Sequence, residues 1–214
     1  MIISRGRRYV FVHIPKTGGT SLASALEERA MRDDILIGDT PKAKRRQRRL
    51  EGVKSSGQLW KHAGLGDIDG LVSADELAGM FAFTLVRNPW DRVASYYHWL
   101  REQRFDHKVV RLAKALNFRE FAQDATIARG FQTAPACSYM TTATGVEHCA
   151  AYIRIEAFEL DAVPLFDHLG FSISLPHLNR SSRTADYRSY YDQVTRQAVA
   201  ACCASDIARF GYQF

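Results

Sequence analysis

Three stretches of the chain are apolar on consecutive or nearly consecutive positions: residues 9–14, 81–86 and 151–155. Short runs of this kind, rich in aromatic and β-branched residues, are expected of strands covered on both faces. Ile35-Leu36-Ile37 is a shorter fourth candidate. Between the runs the spacing becomes helical. Leu22, Ala25 and Leu26 place a helix over about 21–32. Ser73-Ala74-Asp75-Glu76 has the form of a capping box and opens a short helix ending at Gly79. Asn88 suits an N-cap, Pro89 the first helical position and Asp91 the first turn, so a helix follows to about Gln103. Residues 107–142 read as helical, with Asn117 opening one segment. A helix over 160–169 is closed by Gly170, and a last one over about 190–210 by Gly211. No internal repeat is present. Strands alternating with helices predict an α/β fold, one domain over 1–214 with a central, mainly parallel sheet flanked by helices.

The first apolar run breaks at Pro15-Lys16-Thr17-Gly18-Gly19-Thr20-Ser21, which joins a strand to a helix. A helix start presents unpaired N–H groups and partial positive charge, so this turn is a candidate cradle for phosphate or sulfate. Gly18 and Gly19 let the backbone approach a ligand. Lys16 adds a cation, and Thr17, Thr20 and Ser21 add hydroxyls. The second run passes into Arg87-Asn88-Pro89-Trp90-Asp91. Arg87 offers a planar fork to a phosphate, and Ser95, two turns into the helix, is placed to reach the same anion. Ligands of open parallel sheets bind beyond the carboxyl ends of the strands. Both turns are therefore expected to serve one ligand with two separated anionic groups. The first is not a Walker A loop, because Lys16 precedes the glycines and no apolar run ends in a clear Walker B aspartate. A magnesium-dependent P-loop nucleotide kinase or other phosphotransferase is kept only as the enzyme alternative.

The chain has 214 residues, 46% of them hydrophobic, and a net charge of +6, which favours anionic ligands or partners. Lys42, Lys44, Arg45, Arg46, Arg48 and Arg49 form a basic run. It reads either as a solvated loop or helix face, or as a patch that gathers an anionic acceptor. A non-catalytic nucleic-acid-binding protein using 42–49 is the rival from another class. No aromatic residue interleaves the run, so base stacking is not indicated and no nucleic-acid partner is expected. No apolar run is long enough to span a membrane, and the N-terminal run lacks a signal-type cleavage segment. Cys137, Cys149, Cys202 and Cys203 lack metal-ligand spacing, and adjacent cysteines suit a disulfide framework badly. Free thiols, no metal and a cytoplasmic location are the expectation.

Ile14-Pro15-Lys16-Thr17-Gly18-Gly19-Thr20-Ser21 together with Val86-Arg87-Asn88-Pro89-Trp90-Asp91-Arg92-Val93-Ala94-Ser95-Tyr96-Tyr97 resembles the sulfotransferase superfamily. The likeness is to its carbohydrate-directed branch, that of the heparan and chondroitin sulfotransferases and of many small bacterial relatives. The first segment is similar to that family's 5′-phosphosulfate loop and the second to its 3′-phosphate site. Fainter similarity covers most of the chain. Arg154-Ile155-Glu156 resembles a strand end of the family. Leu178-Asn179-Arg180-Ser181-Ser182 resembles its late loop, and Tyr190-Tyr191-Asp192 with residues 206–212 its closing helix.

The resemblance implies a P-loop-like three-layer α/β fold. It implies 3′-phosphoadenosine 5′-phosphosulfate as donor, with no metal required. The acceptor is a carbohydrate or other hydroxyl compound, anionic ones included. Lys16, Thr17, Gly18, Gly19, Thr20, Ser21, Arg87 and Ser95 then bind the donor, and Lys16 stabilises the leaving phosphate. Seven histidines are available for a base. His13 lies inside a strand and His98 in a helix. His107, His148, His168 and His177 lack supporting context. His62 lies in a turn-rich stretch where relatives of this branch often carry a histidine, and it is the expected general base. Trp60 is a candidate to stack on adenine or acceptor, or simply to pack. Many eukaryotic relatives are membrane-anchored in the Golgi, whereas this sequence points to a soluble bacterial-type enzyme of unknown oligomeric state.

Overall fold

The computed structural model describes residues 1–176, 184 and 186–214. In chain order the elements are β1 (Ile2–Ser4), β2 (Tyr9–Val12), α1 (Gly19–Glu28), β3 (Ile35–Leu36), α2 (Pro41–Arg46), α3 (Ala74–Ala78) and β4 (Phe81–Val86). Then follow α4 (Pro89–Glu102), α5 (Lys108–Ala115), α6 (Phe118–Gln123), α7 (Ala125–Thr133) and α8 (Ala136–Tyr139). The chain ends with β5 (Ala151–Arg154), α9 (Phe158–Asp161), α10 (Val163–Leu169), α11 (Gln193–Cys202) and α12 (Ala204–Phe210). It forms two compact units, Met1–Val86 with Ala136–Asn179, and Arg87–Pro135 with Arg180–Phe214.

The first unit holds a five-stranded sheet in the order β3-β1-β2-β4-β5. β2 pairs parallel with β4, and β4 with β5, so their carboxyl ends lie at one edge. β1 runs antiparallel to both β2 and β3. The sheet is therefore mixed, with a parallel half and an antiparallel half, where the sequence predicts a mainly parallel one. The difference comes from β1: three residues are too few to show a period, and the turn through Arg5–Arg8 folds them straight back onto β2.

Alternate residues of the buried strands feed two cores. Ile2, Tyr9, Phe11, Phe83, Leu85 and Ile153 pack with Leu22 and Leu26 of α1, Phe158 of α9 and Leu165 of α10. Ile3, Val10, Val12 and Ala82 pack with Ala63, Leu65, Ile68, Val72, Leu77 and Met140. Two covered faces explain why these strands read as unbroken apolar runs. Thr84, fully buried, satisfies its hydroxyl on the Val12 carbonyl at 2.7 Å.

The basic run lies on α2 and a following 3-10 turn, Gln47–Leu50. Lys42 donates to the Glu27 carbonyl, Arg46 to those of Met31 and Asp34 at 2.9 and 3.1 Å, and Arg49 to that of Arg32 at 2.5 Å. Half of the run thus ties down the end of α1 and the turn after it. Ser73 caps α3 as expected, accepting from the Glu76 amide at 3.2 Å. The Glu76 carboxylate pairs with Arg5 at 2.6 Å instead of closing the box.

The second unit is helical. Trp90, Val93, Ala94, Tyr97 and Leu100 of α4 fall on one face and pack with Val110, Phe118, Phe121, Ile127 and Val199. Asn88 caps α4 through its side chain, accepting from the Trp90 amide at 3.1 Å, with Pro89 in the first position. The stretch predicted helical over 107–142 divides at caps, His107, Asn117 and Asp124. The predicted final helix is two helices, parted at Cys203. Gly170 and Gly211 close α10 and α12 at φ +75° and +65°. Among the described residues the four cysteines are unbridged, and no helix is long and apolar enough to cross a membrane.

Candidate active site

β2 delivers His13 and Ile14, both buried, and the chain then turns. Lys16 sits at φ +66° and Gly18 at φ +88°, two left-handed residues that reverse the backbone into α1. The Thr17 hydroxyl donates to the Ile14 carbonyl at 2.9 Å and is almost wholly buried, so it holds the loop shut. Gly18 is the N-cap and offers no side-chain oxygen to the first-turn amides, and no acidic residue stands in that turn. Such a helix start suits an anion. Thr20 is exposed there, whereas Ser21 is buried with its amide bonded to the Gly18 carbonyl at 3.0 Å. Both glycines also stand close to side chains from elsewhere in the unit. A Cβ at Gly18 would lie 2.1 Å from Ile155 Cδ1, and one at Gly19 2.1 Å from the His13 ring.

His62 stands beside this loop. Its Nδ1 is 2.7 Å from the His13 carbonyl. A carbonyl only accepts, so Nδ1 carries the proton and Nε2 keeps its lone pair. The His13 and His62 rings lie 4.6 Å apart, edge to face. Burial lowers the His62 pKa to about 4, against a smaller upward pull from the His13 carbonyl. His13 is held well below the ordinary histidine value, by burial first and by His62 second. Two neutral imidazoles therefore border the loop at physiological pH.

In the second unit, Arg87 opens the turn that follows β4. Its Nε and Nη2 meet Asp91 Oδ2 at 2.7 and 2.6 Å, a pair one helical turn long with both side chains mostly buried. Ser95 is buried one turn further along α4. A cavity of about 680 Å³ in this unit is lined by Trp90, Tyr191, Arg196 and Phe214 and includes neither Arg87 nor Ser95.

A family model described as the sulfotransferase family matches residues 1–213. The chain belongs to that family. No curated protein and no solved structure matches it. As a sulfotransferase it is a transferase enzyme, moving a sulfuryl group to a hydroxyl-bearing acceptor. Its fold, mixed α/β with a five-stranded sheet flanked by helices, is consistent with that membership.

Three partners in this sulfotransferase escape a reading by motif. The His13 carbonyl fixes the His62 tautomer from 49 residues away. Asp91 reads as a first-turn residue but grips Arg87, a contact that its i+4 spacing could have signalled. Arg154 gives its fork to both carboxylate oxygens of Asp161, at 2.7 and 2.9 Å, and this pair holds the Asp161 carboxyl below its usual range. The segment 178–182 singled out by resemblance lies outside the described residues.

Proposed function

We propose that this sulfotransferase uses 3′-phosphoadenosine 5′-phosphosulfate and sulfates a hydroxyl of a carbohydrate-type acceptor by in-line displacement, as one domain over 1–214. The reading extends to a small cytoplasmic enzyme of the bacterial, carbohydrate-directed kind, on the strength of the motifs at 14–21 and 86–97. The observation that carries the chemistry is the 2.7 Å bond from His62 Nδ1 to the His13 carbonyl, which leaves Nε2 as an acceptor beside the loop. Nε2 takes the proton from the acceptor hydroxyl. A ring with a pKa of about 4 is unprotonated at physiological pH, and a nearby anionic donor raises its proton affinity.

The donor supplies a sulfuryl group on a phosphate leaving group. Lys16 and the α1 amides stabilise charge on the departing oxygen, with Gly18 and Gly19 shaping the loop and Thr20 and Ser21 adding hydroxyls. Thr17 contributes through the backbone, since its hydroxyl proton is committed to Ile14. Arg87, oriented by Asp91, and Ser95 take the far phosphate. No metal takes part in this scheme.

Thermal stabilisation by adenosine 3′,5′-bisphosphate in the presence of EDTA tests the donor. Stabilisation only by ATP with magnesium overturns the reading in favour of a nucleotide kinase. Lys16→Ala should abolish bisphosphate binding. His62→Ala should lower turnover by about 10²–10⁴-fold while leaving bisphosphate affinity nearly unchanged. A large loss of affinity would instead assign His62 to binding.

A further inference from the structure

Trp60 is 48% exposed, in a segment whose other apolar residues point inward. Leu59 packs against the core that contains Ala63 and Leu65. The Ala63 amide donates to the Trp60 carbonyl at 3.0 Å, closing a turn with Lys61 and His62 at its centre. Lys61 is itself paired with Asp39. The turn is thus anchored on both sides, and the indole is held outside a core that accepts its neighbours. Scattered exposed apolar residues are ordinary. Among the described large ones, however, Trp60 is the one in ring contact with a histidine. The Trp60 and His62 centroids are 5.0 Å apart and the planes 86° apart.

We propose that Trp60 is the floor of an acceptor subsite that takes the face of a pyranose ring and brings a rim hydroxyl to His62 Nε2. The inference rests on the reading of His62 as base. A pyranose carries polarised C–H bonds on its faces and hydroxyls on its rim. The negative face of an indole attracts the former and leaves the latter free to point outward. A ring stacked on Trp60 lies close to His62, whose ring centroid is 5.0 Å from that of the indole, and the reacting oxygen is on its rim. Trp60 is in this sense a specificity-determining residue, and it leaves the charge chemistry to His62 and Lys16.

The test uses the full chain, labelled donor, and three acceptor classes: methyl pyranosides and their oligomers, an acyclic polyol, and phenol. Trp60→Ala should raise KM for the pyranosides about tenfold with kcat little changed, and Trp60→Phe should restore most of the loss. Affinity for adenosine 3′,5′-bisphosphate and the KM for the polyol should stay within about twofold. Weakened bisphosphate binding would make Trp60 an adenine platform and overturn the proposal. A phenol-only effect, or equal effects on pyranoside and polyol, would overturn it as well. So would a KM for pyranosides that Trp60→Ala leaves unmoved. If the wild type binds no bisphosphate, or His62→Ala keeps full turnover, the underlying reading fails instead, and that outcome is visible before any Trp60 variant is assayed.

Discussion

Gly18 and Gly19 carry different constraints although they stand side by side. Gly18 holds φ +88°, and the Cβ contact it would make is with the flexible tip of Ile155. Gly18→Ala should therefore cost mainly backbone strain, about 1–2 kcal/mol. Gly19 lies in the first turn of α1, where alanine is favoured, but its Cβ would strike the buried His13 ring, which has no room to retreat. Gly19→Ala should cost about 1–3 kcal/mol by overpacking, and it should also disturb the His13 carbonyl that orients His62. Urea unfolding measures the first effect and turnover the second. Equal stability with unchanged turnover in Gly19→Ala would refute the packing argument. The sequence marks both glycines as loop-forming, but it gives no sign of their packing, because Ile155 is far along the chain and His13 faces the helix only after the turn is made.

At the scale of elements, caps and charge runs were legible where the partner is local. Asn88, Asn117 and Gly211 act as their spacing predicts, since each bonds within a turn or two. Ser73 does so by half, because Glu76 finds Arg5, 71 residues away, and no local pattern announces that pair. The basic run divides in the same manner. Lys42, Arg46 and Arg49 reach carbonyls after or at the end of α1, while Lys44, Arg45 and Arg48 are exposed. Arg46→Ala should therefore lower stability by about 1 kcal/mol, losing charge-assisted bonds to two carbonyls. The triple change Lys44→Gln, Arg45→Gln and Arg48→Gln should stay within about 0.5 kcal/mol. Chemical denaturation of the two variants checks the contrast, and a reversed order would show that the run is not divided this way.

At the scale of the molecule, the parallel half of the sheet was readable because β2 and β4 are covered on both faces and β5 continues the short apolar run at 151–155, whereas in the antiparallel half only β3 was readable, as Ile35-Leu36-Ile37, and β1 was not, because it is three residues long. The same double coverage that makes the runs legible also buries the histidines beside them, and this has a consequence for the pH range of the whole fold. His62 titrates near 6.5 when unfolded and near 4 when folded. Between those values the unfolded chain binds more protons, so stability rises with pH across that window and is lost as pH falls through it. The slope contributed by one such group approaches about 1.4 kcal/mol per pH unit, for a total of about 3 kcal/mol. Asp161 and Asp39, each lowered first by its basic partner's hydrogen bond, contribute stability that is lost only as pH falls below 3.8. The two windows are therefore separate. His62→Gln removes the His62 share while His13, depressed chiefly by burial, keeps its own. The wild type should lose stability more steeply than His62→Gln between pH 6.5 and 4, by about 1.4 kcal/mol per unit at most, and the two curves should run parallel above pH 7. Unfolding free energies measured across that range decide it: parallel curves from pH 7 down to 4 would mean that His62 is not held neutral by the fold.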